Sequence, residues 1–194
     1  MNSILFYTDD NIIGKSILHY MVDNEMNITT LGYQDIAGRA YLPYGGVIII
    51  NVIHKDISAA RTVALLNRLK MYLMHCTMLV LIVKSDLASL CRELLELENV
   101  LILTENLSFS DLSAIFKHSL SVSECQRLYT RRKLSPREQQ VLALLIASYN
   151  SKQIAELLNI AHKTAHAHRA SIMRKLDMHN SQVMNKRIVN MFRC

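Results

Sequence analysis

The amino-acid sequence predicts an α/β domain with a parallel sheet, followed by an all-α domain. Three observations carry this. Short apolar runs without polar alternation recur between helical patterns over the first 120 residues, at 3–8, 47–50, 78–83 and 100–103. Strands of that kind are buried on both faces, as in a parallel sheet covered by helices. Beyond residue 133 the periodicity is helical throughout. The charge changes with it: residues 1–123 hold 9 Lys/Arg and 12 Asp/Glu, residues 124–194 hold 13 and 4, so a net −3 precedes a net +9. A basic terminal third suits a polyanionic partner.

Each element follows in order. The first strand runs into the acidic pair Asp9-Asp10, and a helical pattern then aligns Ile13, Ile17, Leu18 and Met21 on one face. Residues 27–31 form a weaker strand. Pro43-Tyr44-Gly45-Gly46 signals a turn before the β-branched run Val47-Ile48-Ile49-Ile50. Helices over 57–74, 86–98 and 111–120 alternate with strands over 78–83 and 100–103. Residues 119–133 are less apolar and end in Arg131-Arg132-Lys133, a basic run suited to the DNA backbone or to a solvated linker. The organisation expected is a first domain over 1–120, a linker over 121–133 and a second domain over 134–194.

With 51% of its 194 residues hydrophobic, the chain can close two cores and is not intrinsically disordered. Cys76, Cys91, Cys125 and Cys194 show no CxxC or similar spacing, so reduced thiols are expected rather than a metal or disulfide framework. The start lacks a basic n-region, and no apolar run approaches the roughly 20 residues of a membrane span. A cytoplasmic protein without a membrane partner is the expectation.

The second domain opens with Leu134-Ser135-Pro136-Arg137-Glu138. Ser135 suits the N-cap, Pro136 the first helical position, and Glu138 the far corner of a capping box. Val141, Leu142, Leu145 and Ile146 supply a buried stripe. After a break at Ser148-Tyr149-Asn150, a second helix over 151–158 buries Ile154, Ala155 and Leu158. Asn159-Ile160-Ala161 then makes a tight turn into a third helix over 162–176. That helix turns Ala165, Ile172 and Leu176 inward and His166, Arg169, Arg174 and Lys175 outward. Two helices joined by a tight turn, the second bearing basic and hydrogen-bonding residues, make a helix-turn-helix.

On these residues the segment resembles the LuxR/NarL-type DNA-binding domain. The resemblance is carried by Leu134-Ser135-Pro136-Arg137-Glu138 and Lys152-Gln153-Ile154-Ala155. It continues through Lys163-Thr164-Ala165-His166-Ala167-His168 and Ile172-Met173-Arg174-Lys175-Leu176. It implies a four-helix module whose third helix enters the major groove, with a fourth helix over 181–192 supporting dimerisation. By position, His166, Ala167 and Ala170 would face base edges. Lys152, Lys163, Thr164 and Arg169 would lie near phosphates, and Arg174 on the same outward surface. The chain departs from the family at four positions: Ala165 stands where valine is usual, His166 where a cation is, and alanines occupy two reading positions. Affinity would then lean on phosphate contacts and depend strongly on salt.

The strand-helix order of residues 1–120, with Ile4-Leu5-Phe6-Tyr7-Thr8-Asp9-Asp10, resembles the receiver domain of response regulators, a flavodoxin-like fold. In a receiver an acidic pair holds Mg²⁺ beside an acceptor aspartate. Here the third strand runs into Asn51, a poor nucleophile. Val83 falls where a hydroxyl is usual, and no lysine lies between Lys84 and Lys117. Asp9, Asp10, Asn51 and Val83 therefore mark a degenerate phosphorylation pocket, and Asn51→Asp is the informative variant. The Met178-His179-Asn180-Ser181-Gln182-Val183 tail is similar to that of enterobacterial auxiliary capsule-synthesis regulators.

The expectation is a sequence-specific transcriptional regulator acting as a dimer, independent of aspartyl phosphorylation. The alternative is an auxiliary subunit that modifies or titrates a partner regulator without specific DNA contacts. Double-stranded DNA, a second copy or another LuxR/NarL-type regulator, and RNA polymerase are the expected partners. His162 and His166 have zinc-ligand spacing, but no carboxylate completes a site and a DNA-facing surface accounts for them. Tyr149 reads as scaffold. Without a nucleophile, a phosphate-gripping lysine or a glycine-rich loop, no enzyme, metal or cofactor is expected.

Overall fold

The structure, a computed structural model, describes residues 3–36, 46–54, 56–73, 78–97, 100–108, 110, 112–113 and 134–193. The chain divides into two compact units, Met1–Tyr129 with Met191–Cys194, and Thr130–Asn190.

The first unit is built on five parallel strands: β1 Ile4–Tyr7, β2 Ile28–Leu31, β3 Val47–Asn51, β4 Met78–Val83 and β5 Val100–Thr104. Their order is β2-β1-β3-β4-β5, the flavodoxin-like arrangement. β1 pairs on one side with β2 and on the other with β3, Phe6 lying between Thr30 and Ile49. β3 and β4 are buried along their whole length, which is why their sequences show no polar alternation. β2 lies at the sheet edge with Thr29 and Thr30 exposed, so its signal in the sequence is weak. Helix α1, Ile12–Asp23, buries Ile17 and Met21 and packs Ile13 and Leu18 against the same core.

The order of the strands has a positional consequence. Chain connections leave β1 and β3 in opposite directions along the sheet, which opens a crevice beyond their carboxyl ends. Thr8, Asp9 and Asn51 stand there.

The helix expected over 57–74 is two: α2 Ala59–Arg68, capped by Ser58, and α3 Lys70–Leu73. Leu69 closes α2 by donating its N–H to Leu65. Asn67 is tied elsewhere, its amide donating to the Leu94 carbonyl at 2.8 Å and accepting from the Glu96 N–H at 3.0 Å. The helix expected over 86–98 is confined to α4, Ala88–Leu94, because residues 85–87 form a turn and Leu95 is already extended. Cys91 on α4 is fully buried. Desolvation, with a contribution from Asp86, pushes its thiol up to about 12, so it stays protonated and unreactive. Most of the helix expected over 111–120, the Pro43 turn, the linker at 121–133 and the other three cysteines lie outside the described residues.

The second unit holds α5 Pro136–Ile146, α6 Ser151–Leu157, α7 His162–Lys175 and all but the last two residues of α8 Ser181–Phe192. Val141, Leu142, Leu145, Ile154, Ala155, Ala165, Ile172 and Leu176 are buried, as their spacing predicts. Helices α5, α6 and α7 each end in a residue with positive φ: Ser148 at 67°, Asn159 at 50° and Asp177 at 57°. The residue after each sends its N–H back across the last turn, as Ile160 does to Ala155 at 2.9 Å. Among the described residues no helix is long and apolar enough to cross a membrane.

Candidate nucleic-acid interface

Helices α5 and α6 are capped by their own sequences. Ser135 Oγ accepts from the Glu138 N–H at 3.3 Å, and Glu138 Oε2 accepts from the Ser135 N–H at 2.6 Å. Asn150 and Gln153 exchange the same pair of bonds at 3.0 and 2.9 Å. Helix α7 differs: Ala161 precedes it, and no side chain caps its first turn. The Thr164 N–H turns back to the Ala161 carbonyl at 2.9 Å instead.

Glu138 does more than cap. It is only 5% exposed, and its carboxylate accepts from Ser171 Oγ and Lys175 Nζ, both at 2.6 Å. Burial alone would raise this acid. The bonds from Lys175, Ser171 and Ser135 outweigh it and hold the carboxyl near about 2. The result is a polar brace from the first turn of α5 to the last turns of α7. Arg137 adds a second tie, donating to the Leu158 carbonyl at the end of α6 at 2.7 Å. At the other end, Arg187 of α8 donates to the Leu176 carbonyl at 3.0 Å.

These ties orient α7 and leave one of its faces outward. Lys163, His166, Ala167, Ala170 and Arg174 are all exposed. Their spacing of three or four places them on one stripe. Thr164 is half-buried beside that stripe, and Lys152 is exposed on α6. Of the eight residues expected at the interface, six are thus exposed, and Thr164 and Arg169 are half-buried. The Nε of Arg169 is enclosed with no hydrogen-bond partner among the described residues. Lys175 requires a correction. Expected outward, it is drawn into the brace by Glu138 and is not a cation for a ligand. Sequence reasoning recognised Glu138 as a cap and missed its second role. The signal was present in Ser171 and Lys175, four apart and so on one helix face.

The other expected site lies in the first unit. Asn51 is fully buried. Its Nδ2 donates to Thr8 Oγ1 at 3.2 Å and Asn11 Oδ1 at 3.1 Å, and its Oδ1 accepts from the Ile53 N–H at 3.1 Å. Asn11 in turn caps α1 by accepting from the Gly14 N–H at 2.8 Å. A Cβ at Gly14 would collide with Thr8 Oγ1, so any larger residue there requires that hydroxyl to turn away. Asp9 Oδ1 accepts from the Tyr33 N–H at 3.4 Å, and Asp10 pairs with Lys15 at 2.6 Å, both of those side chains well exposed. Val83 is buried in the sheet, and Glu105 binds the N–H and hydroxyl of Ser85 at 2.6 and 2.8 Å. These residues do not fit a divalent cation. The central amide presents hydrogens rather than an oxygen, and each carboxylate has another partner. No three acidic, His or Cys side chains among the described residues gather as a metal site.

The chain thus combines a parallel α/β unit with a helix-turn-helix unit. Residues 132–186 match the model of the luxR family of bacterial regulatory proteins. The second unit is a LuxR-family domain. The chain is 32% identical over 75 residues to the uncharacterized response regulatory protein YgeK of Escherichia coli (strain K12), covering 37% of this chain and 51% of the relative. It is 30% identical over 90 residues to the transcriptional regulatory protein RcsA of Klebsiella aerogenes, covering 45% and 44%. The chain thus spans about half the length of the curated relatives it matches. Among solved structures, two RcsB dimers bound to two parallel DNAs share 18% identity at a TM-score of 0.59, over 98% of this chain and 99% of that one. RcsB from Salmonella enterica serovar Typhimurium bound to promoter rprA shares 18% at 0.61 with the same coverage. At that identity the likeness is one of fold.

Proposed function

We propose that this chain is a DNA-binding transcriptional regulator that acts as a dimer and does not respond to aspartyl phosphorylation. The observation that carries the reading is the outward stripe of α7, Lys163-His166-Ala167-Ala170-Arg174, on a helix held from behind by Glu138. A helix so presented fits the major groove, and Lys152 on α6 lies on the surface available to the flanking phosphates. The RcsB structures, which hold dimers on DNA, support the same use of this fold. Dimerisation is assigned to α8, where Val189 is 50% exposed. Independence of phosphorylation is read from Asn51, an amide whose two N–H groups are already committed within the crevice.

The test is the affinity of the full chain for a selected duplex across a salt series. The affinity should fall steeply with salt. Replacing Lys152 and Lys163 together by alanine should weaken binding about 10- to 100-fold and reduce the slope of log K against log salt by about 2. Both side chains are exposed, so folding is not at stake. A second reading is favoured by Ala167 and Ala170, two exposed positions with nothing but methyl groups to offer a base. In that reading the chain is an auxiliary subunit of another regulator. Affinity insensitive to both salt and substitution, with promoter occupancy in the cell lost when a partner regulator is deleted, would decide for it.

A further inference from the structure

His162 stands four residues before His166 on α7, and both side chains are exposed. Their ring centroids are 4.6 Å apart with the planes at 88°, so the edge of one imidazole meets the face of the other. Helix geometry brings this about, because side chains lean toward the N-terminus and place residue i+4 over residue i. Among the described residues neither ring has another hydrogen-bond or ionic partner, so the ring contact is what holds them. Toward the C-terminus His166 is followed by Ala167 and Ala170, whose methyl groups restrain nothing.

A neutral imidazole offers one donor and one acceptor. Rotating the ring about its last torsion swings both nitrogens to new positions, and that torsion is broad in an unrestrained side chain. A freely turning His166 would therefore accept more than one base edge, while a ring packed edge to face keeps its plane. On the DNA-binding reading given above, we propose that His162 is a positioning residue. Without touching a base, it fixes the ring of His166 and so sets the base preference at the step that His166 reads.

The experiment selects duplexes from a random pool with the full-length protein. It then compares affinities for the selected duplex and its single-base variants across wild type, His162→Ala, His162→Phe and His166→Ala. His166→Ala should flatten the preference at one step. His162→Ala should reduce discrimination at that same step about 2- to 10-fold, the equilibrium equivalent of an aromatic pair. Its affinity for unrelated duplexes and its salt slope should not change. His162→Phe, which keeps a ring for the contact, should retain the preference. The proposal is overturned if His162→Ala leaves the preference intact. It is equally overturned if that variant weakens every duplex alike with a shallower salt slope, which would make His162 a phosphate contact. A wild type that selects no sequence would sink the DNA-reading model together with this inference. A wild type that selects, with only His166→Ala flattening the step, sinks this inference alone.

Discussion

The crevice of the first unit and the outer face of α7 are both rich in polar side chains, and they differ in where those groups point. At the crevice, Asn51, Thr8, Asn11 and Asp9 bond to one another and to the backbone. On α7 the polar groups divide. Ser171 and Lys175 bond inward to Glu138, while Lys163, His166 and Arg174 remain at the surface. A polar cluster that satisfies itself contributes to structure, and one that leaves donors in solvent is available for recognition. The outward stripe of α7 is of the second kind.

The contrast can be broken most directly at Glu138. Its carboxyl is lowered from 4.5 to about 2 on folding, so its contribution is fully present above about pH 4.5 and is lost as pH falls toward 2. The helix-turn-helix unit should lose on the order of 2–3 kcal/mol across that window, followed by amide exchange in α7. Glu138→Gln should cost a similar amount at neutral pH and abolish the acid dependence, since it leaves the Lys175 ammonium without its counter-charge. An unchanged acid profile in that variant would show that the brace is not what holds α7.

The crevice supplies the next test. Asn51→Asp would place a carboxylate oxygen against Asn11 Oδ1, where an N–H now donates. It should destabilise the first unit by about 1–3 kcal/mol and gain no acyl-phosphate from acetyl phosphate and Mg²⁺. Labelling of the variant would mean that the pocket is intact apart from one atom. The smallest effect expected is at Ser148, whose φ of 67° suits glycine better than serine. Ser148→Gly should raise stability by about 1 kcal/mol or less in thermal unfolding and leave DNA affinity unchanged.

Much of this was legible beforehand, for reasons that differ by element. β4 matched its expected bounds because a fully buried strand excludes polar residues from both faces. The cap of α5 was legible because Ser135, Pro136 and Glu138 each act locally. The break of the expected 57–74 helix at Leu69 was not, since Asn67 is held by residues nearly thirty positions away. The same holds for Lys175, whose partner Glu138 lies 37 residues earlier, and for Asn51, whose amide is held by Thr8 and Asn11 across the sheet. Long-range polar bonds leave no periodic trace. The His162–His166 contact did leave one, the spacing of four, though spacing alone read as a metal-ligand pattern.

Ala167 and Ala170 bear on how such a protein would change over generations. Both are exposed in the middle of a helix whose core contacts run through Ala165 and Ile172. A substitution at either alanine meets solvent rather than a packed neighbour, and most polar replacements cost only a few tenths of a kcal/mol in helix propensity. A single-base change in an alanine codon reaches serine, threonine or glutamate, each able to contact a base edge without disturbing the scaffold. On the DNA-binding reading, this face is held in a permissive state, open to new target sites by one mutation at a time.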